Sequence, residues 1–317
     1  MPNFFKPLTW SRNWAKRRQQ NRPGCGLISC SGPQTLWQRL QRRHAGTLLQ
    51  GVFYCQPQCL ETALTAQLSR LHVLAPVSLP PNRIPLGLLM VARGKLTYIE
   101  VLAALEAQRR ARYGKIGEWI EKLGFATEQD VTSALALQWG CPVASSPDLA
   151  ANETAARIPL ALLEAFHMLP LNYAPSSNTL YLAFGERVDH AALYAIDKIL
   201  DCRTQPCVAP RKTIERHLEH LHQQPRPSDV EFGPMGSFAE MSRISSSYIA
   251  RLSPDEVRLS RVGRFIWLRL KVGSSATNLL FRLKNQAPDL SSQLSAIASQ
   301  RALMQGSHRR PPGIPGK

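Results

Sequence analysis

The hydrophobic positions between residues 83 and 138 follow one pattern twice, at a spacing of thirty residues. In each copy, apolar residues at helical spacing precede a glycine, and a second apolar stripe follows a threonine. Gly87 and Gly94 in the first copy correspond to Gly117 and Gly124 in the second. Such an internal repeat usually corresponds to one supersecondary unit per copy.

Each copy predicts a helical hairpin. Gly94 and Gly124 stand where the end of a helix requires a positive φ. A threonine follows three residues later, and Glu100 or Asp130 three residues after that completes the pattern of a capping box, with a shorter arm in the aspartate version. We therefore expect two hairpins that pack into a four-helix unit with one shared concave face.

The pattern changes after this repeat. A short helix near residue 160, apolar strands over 168–173 and 179–184, a helix capped by Asp189, a strand from Arg203 and a helix starting at Pro210 predict a small α/β subdomain. Further on, a Pro- and Gly-rich linker is predicted over 225–242, helices over 242–252 and 254–261, and then two strands. The fold class is α+β. Its predicted parts are a basic tail (1–24), a candidate zinc module with a helix (25–75), the duplicated hairpins (83–145), the α/β subdomain (155–222), an extension (223–284) and a disordered tail (285–317).

Four cysteines in the N-terminal part are candidate metal ligands. Cys55 and Cys59 flank the start of a predicted helix, as in the second half of many treble-clef zinc sites, and Cys25 and Cys30 form an earlier pair. Four thiolates around one zinc ion would stabilise a segment too small to fold by apolar burial alone. The alternative is four unrelated buried thiols. Any zinc here would be structural.

The net charge of +17 is concentrated in the two ends of the chain. Residues 1–50 hold nine Lys and Arg and no acidic residue, whereas residues 51–224 hold sixteen of each sign. Basic ends favour contact with nucleic acid, an anionic membrane or an acidic partner, or are simply solvated. We find no apolar run of the ~18 residues needed for a membrane span and no signal peptide, so the expected location is cytoplasmic.

The repeat resembles the amino-terminal domain of type II secretion and type IV pilus assembly ATPases, and the resemblance extends over about residues 83–222. The family pattern has Arg-Leu-Gly, then apolar, glycine, two apolar residues and glutamine at fixed spacings. Fourteen positions fit it: Leu86, Gly87, Met90, Gly94, Val101, Leu105 and Gln108, then Ile116, Gly117, Ile120, Gly124, Val131, Leu135 and Gln138.

Some members of this family bind cyclic di-GMP through this domain, so the resemblance implies that these fourteen residues and Lys115 bind a cyclic dinucleotide. The motif arginine, however, is Pro85 in the first copy and Lys115 in the second. Lysine keeps the charge without the planar fork of arginine, and neighbours such as Arg83 are candidate substitutes. The alternative is that the glycines only cap helices and the apolar residues only form a core.

The sequence contains no phosphate loop of the form Gly-x4-Gly-Lys-Ser/Thr, and only 95 residues follow residue 222, so we expect no ATPase motor. We expect a non-enzymatic regulatory or adaptor protein that docks on a secretion or pilus platform or motor protein, at the cytoplasmic side of the inner membrane. One alternative is a zinc-stapled, basic nucleic-acid-binding protein. Another is a structural subunit without a ligand.

Overall fold

A computed structural model describes residues 25–30, 46–73, 83–144, 155–226 and 228–284. The predicted basic tail and disordered tail lie outside these ranges. The helices are α1 (Pro57–Val73), α2 (Leu86–Ala92), α3 (Tyr98–Ala111), α4 (Ile116–Lys122), α5 (Glu128–Trp139), α6 (Leu160–Ala165), α7 (His190–Leu200), α8 (Arg211–His222) and α9 (Phe238–Leu252). The strands are β1 (Thr47–Leu49), β2 (Val52–Tyr54), β3 (Met168–Ala174), β4 (Thr179–Phe184), β5 (Arg203–Val208), β6 (Asp229–Met235), β7 (Glu256–Val262), β8 (Phe265–Val272) and β9 (Ser275–Leu283). The predicted α+β class is confirmed.

The four repeat helices keep the thirty-residue spacing. Helices α2 and α4 have seven residues each and begin thirty positions apart, as do α3 and α5. Gly94 and Gly124 follow α2 and α4 with φ of 66° and 73°. Thr97 and Thr127 cap α3 and α5, and both capping boxes are complete. Local sequence signals therefore define where these helices begin and end.

Close packing inside each hairpin explains the first glycine of each copy. A Cβ on Gly87 would lie 2.8 Å from Val101 Cγ1, and a Cβ on Gly117 would lie 3.0 Å from Val131 Cγ1. The first distance is shorter than real Cβ atoms show and the second is tighter than most of their contacts, so glycine lets α2 and α4 approach the helix that follows. The core between the hairpins contains Met90, which is fully buried.

The two hairpins are joined by reciprocal hydrogen bonds. Gln108 at the end of α3 donates to the carbonyl of Gly114, just before the second copy, at 2.9 Å. Gln138 at the end of α5 donates to the carbonyl of Ile84, just before the first copy, at 2.7 Å. The two acceptor carbonyls are themselves thirty residues apart. The glutamine at the end of each copy therefore holds the segment that leads into the other copy.

The α/β subdomain contains a three-stranded sheet in the order β3-β4-β5. Strands β3 and β4 are antiparallel, and β5 runs parallel to β4. Helix α7 begins after Asp189, whose carboxylate accepts a hydrogen bond from the backbone of Ala192 at 3.0 Å, as the sequence predicted. Pro210 is the N-cap of α8 rather than its first residue.

A six-stranded sheet, in the order β2-β1-β7-β8-β9-β6, contains strands from both ends of the described chain. The sequence analysis placed 25–75 and 223–284 in separate modules, and the structure gives them one common sheet. Helices α1 and α9 pack together on one face of it, where Thr65 Oγ1 donates to Ser242 Oγ at 2.8 Å. The other face packs against the α/β subdomain through residues such as Trp267.

Two elements of this sheet correct the sequence analysis. The prediction of a helix over 254–261 was wrong, because this segment forms β7, and the predicted linker over 225–242 contains β6 and the start of α9. Both faces of β7 are covered, so even Glu256 and Ser260 are buried and the strand lacks a clear polar–apolar alternation. Strand β6 lies at the sheet edge and carries a register shift between Phe232 and Pro234, a position that tolerates proline.

Candidate functional site

A cleft of about 720 Å³ lies between the second hairpin and the α/β subdomain. One wall consists of residues of α4 and α5, Pro85 and Leu86 at the start of α2, and Gln108 near the end of α3. The opposite wall consists of residues 165–167, residues 185–187, Asp189 and Arg211 at the start of α8. This volume falls within the range typical of small-molecule sites.

Eight of the fifteen predicted ligand-binding residues line the cleft. They are Leu86, Gln108, Lys115, Ile116, Gly117, Val131, Leu135 and Gln138. The other seven do not line it: Gly87, Met90, Gly94, Val101, Leu105, Ile120 and Gly124. Among these seven, three are buried core side chains and three are glycines that serve helix packing or turns. Six of the eight predicted residues that line the cleft belong to the second copy of the motif.

Lys115 stands at the position of the motif arginine and contributes a cation to the cleft. Its ammonium group forms an ion pair with Glu186 on the opposite wall. Burial at the cleft and repulsion from Arg211 hold the pKa of Lys115 below its ordinary value. The corresponding position in the first copy, Pro85, lines the cleft without a charge.

Arg211 provides the second cation next to Glu186. Its guanidinium forms ion pairs with Glu118, with Glu186 at 3.2 Å and with Glu215 at 2.6 Å. Burial opposes its charge, but hydrogen bonds to Glu215 and Glu118 outweigh burial and raise the pKa of Arg211. The Glu186 carboxylate therefore lies between Lys115 and Arg211 and forms an ion pair with each of them.

The lining of the cleft contains more acidic than basic groups. The basic residues are Lys115, Arg187 and Arg211, and the acidic residues are Glu118, Glu121, Glu128, Glu186 and Asp189. Burial, and then repulsion from Glu128, raise the pKa of Glu121. An anionic ligand can therefore use the cations only if it replaces a carboxylate that is now paired with them.

His167 lines the cleft on the α/β side. Its Nδ1 is buried and has no hydrogen-bond partner within the described ranges. Burial, followed by repulsion from Arg211 and Lys115, holds the pKa of His167 below its ordinary value. Sequence reasoning missed His167 and Glu186, which lie between elements, and Arg211, which begins α8. An isolated polar residue carries no periodic signal, and these three reach the cleft only through the tertiary fold.

Arg83, a candidate substitute for the missing motif arginine, has another role. Its guanidinium stacks on the Trp139 ring at 3.7 Å from the centroid and donates to the Gln138 carbonyl at 2.5 Å. Arg83 therefore ties the start of the first copy to the end of the second.

The four N-terminal cysteines lie together, far along the chain from the residues of the cleft. The sulfur atoms of Cys25, Cys30, Cys55 and Cys59 all lie within 4.8 Å of one another. All four are free thiols; Cys59 is buried and the other three are half-buried. The chemistry of this cluster is compatible with a bound zinc ion.

None of the helices in the described ranges is long and apolar enough to cross a bilayer.

Comparison with known proteins finds a family model that matches part of the chain. Residues 139–228 match the MshEN domain. The predicted resemblance to the N-terminal domain of secretion and pilus assembly ATPases is thereby confirmed. The match contains the whole α/β subdomain and begins at the last residue of α5, so it contains little of the duplicated hairpins.

Solved structures of two relatives are similar to less than half of the chain. A structure of MshE with cdg is 24% identical, and the alignment covers 44% of this chain and 99% of that one, with a TM-score of 0.37. Two crystal forms of the N-terminal domain of XpsE are 19% and 21% identical, cover 42% and 41% of this chain and 91% and 89% of those chains, and have TM-scores of 0.34 and 0.26. No curated protein matches the chain.

Proposed function

We propose that this chain is a non-enzymatic regulatory protein and that its cleft binds a cyclic dinucleotide, with cyclic di-GMP as the first candidate. The observation that carries the proposal is the convergence of both motif copies on one cavity. Leu86 and Gln108 from the first copy and Lys115 and Gln138 from the second line the same cleft. The MshEN match and the resemblance of the repeat to cyclic di-GMP-binding members of the family support this ligand class.

The side chains of the cleft suit such a ligand once one carboxylate, that of Glu186, is displaced from its ion pairs. Apolar groups of Leu86, Ile116 and Leu135 offer surfaces for flat bases. A ligand phosphate takes the place of the Glu186 carboxylate between Lys115 and Arg211. His167 offers its unpaired ring nitrogen to a polar base edge.

Binding of cyclic di-GMP to the full chain tests this function. Lys115→Ala removes a charged phosphate partner and is expected to weaken binding by roughly tenfold, since a charge-assisted hydrogen bond contributes about 1.5 kcal/mol. Lys95→Ala is the matched control, because Lys95 pairs with Asp130 at 2.7 Å on the same repeat but outside the cleft. No binding at about 100 μM, or equal losses in the two variants, would contradict the proposal.

The proposed adaptor role has a candidate docking surface on the first hairpin. Leu88, Tyr98 and Leu102 are exposed by 47%, 60% and 48%. Their counterparts thirty residues later, Glu118, Glu128 and Thr132, line the cleft against the α/β subdomain. Among the described residues, nothing covers this apolar surface of the first hairpin. The equivalent surface of the second hairpin is polar and faces the α/β subdomain.

We propose that this apolar surface docks on a platform or motor protein of a secretion or pilus-type system at the cytoplasmic side of the inner membrane. Leu102→Glu places a charge in the surface and is expected to abolish co-purification with such a protein from the same organism. Tyr194→Glu is the control, because Tyr194 is 67% exposed and belongs to α7 of the α/β subdomain rather than to the first hairpin. Equal co-purification by both variants would contradict this surface.

A further inference from the structure

The cysteine cluster lies at the junction of three short elements. Cys25 and Cys30 belong to a turn, in which the Cys30 N–H donates to the Leu27 carbonyl at 3.1 Å. Cys55 follows β2, and Cys59 lies in the first turn of α1. A turn, a β-hairpin and the start of a helix thus direct four thiols to one point, although 29 residues separate Cys30 from Cys59.

The separations between the sulfur atoms fit a tetrahedral ion. Cys30 Sγ lies 3.4 Å from Cys55 Sγ and 3.5 Å from Cys59 Sγ. Four thiolates at about 2.3 Å from a zinc ion stand about 3.8 Å from one another.

The elements around the cysteines are short and have few contacts that would hold them in place. Strands β1 and β2 have three residues each, and β1 pairs with β7 through Leu48 and Leu49 alone. A two-stranded hairpin of this length is marginal in water. One backbone hydrogen bond joins the described turn at Cys25–Cys30 to the hairpin, from Gly26 N to Phe53 O at 2.8 Å. Leu27 packs only partly buried against the core and Ile28 is fully exposed, so apolar burial alone is a weak link between this turn and the six-stranded sheet.

We infer that Cys25, Cys30, Cys55 and Cys59 bind one structural zinc ion, which fixes the N-terminal hairpin and α1 to the sheet completed by the C-terminal strands. The ion holds together the part of the chain into which the MshEN region is inserted. All four coordination positions are filled by thiolates, so the ion leaves no open position for catalysis. This site is independent of the cleft, and either assignment can fail without the other.

Metal analysis of the full chain, purified without chelators, tests the inference. We expect about one zinc per chain in the wild type and in Cys202→Ser, a control in which a partly buried thiol outside the cluster is removed. Cys25→Ser and Cys59→Ser are expected to lose most of the zinc. Cobalt exchanged into the wild type is expected to give the visible absorption bands of a tetrahedral thiolate site.

Thiol counting keeps the test decisive if the serine variants do not fold. Removal of the metal from the wild type is expected to make four additional thiols reactive and to speed amide exchange in β7. Less than about half an equivalent of zinc, disulfides within the cluster, or no gain in reactive thiols on chelation would overturn the inference.

Discussion

Replacing Glu186 by glutamine tests how the cleft receives an anion. Glu186 lies between Lys115 and Arg211, and in the proposed binding mode a ligand phosphate displaces its carboxylate. Glu186→Gln keeps the shape of the side chain and removes its charge. Both cations then lose a competing partner, so we expect the variant to bind cyclic di-GMP more tightly than the wild type.

The exposure of the three side chains sets the size of this effect. Glu186 is 14% exposed, but Arg211 is 31% and Lys115 is 58% exposed. A pair of charges about 4 Å apart near a protein surface interacts by up to about 4 kcal/mol. Solvent screening lowers measured values for exposed pairs to at most about 1 kcal/mol. We therefore expect roughly a fivefold decrease in Kd.

Isothermal titration of folded variants with cyclic di-GMP at low salt measures this change. Glu106→Gln is the control, because Glu106 pairs with Arg110 at 2.9 Å on the exposed side of α3 and lies outside the cleft. The control should leave Kd unchanged. If Glu186→Gln left affinity unchanged or weakened it, the phosphate would not occupy the position between Lys115 and Arg211, and our reasoning would be refuted.

Three further predictions concern the scaffold. Gly87→Ala should lower the free energy of unfolding in urea by about 1–3 kcal/mol, because the new methyl group overlaps Val101. Adding Val101→Ala should restore part of the lost stability, and additive losses in the double variant would contradict the close contact. Gln138→Ala should cost about 1 kcal/mol by removing its bond to the Ile84 carbonyl, and an unchanged midpoint would contradict that role. The pKa of His167 is lower in the folded chain, so the unfolded chain binds more protons and stability should fall as the pH drops below about 6.5. Thermal melts at several pH values should show a smaller fall for His167→Gln than for the wild type. The same dependence of melting temperature on pH in both proteins would contradict this role.

The sequence predicted the parts of the fold that depend on local signals. Thr97, Thr127 and the two turn glycines fix the repeat helices through contacts only a few residues apart. Strand β7 was missed because its burial depends on two layers that come from distant parts of the chain. Glu256 is a poor strand residue in isolation, yet it is buried in the folded chain, where Arg258 pairs with it at 2.8 Å.

The candidate site shows the same division. The motif predicted Lys115 and Gln138, since their spacing is encoded within the repeat. It did not predict Glu186 or Arg211, which come from loops and helix ends of the α/β subdomain. The charge balance of the cleft is thus a property of two units packed together. A motif in one unit cannot reveal which groups the other unit places opposite to it.

The proposed function depends most on whether one ligand contacts both walls of the cleft. Amide hydrogen exchange of the full chain, with and without saturating cyclic di-GMP, tests this directly. We predict slower exchange at the start of α4, near Lys115–Glu118, together with slower exchange near residues 165–167 and 185–187. Unchanged exchange in these segments, or protection on one wall alone, would contradict a ligand shared by the repeat and the α/β subdomain.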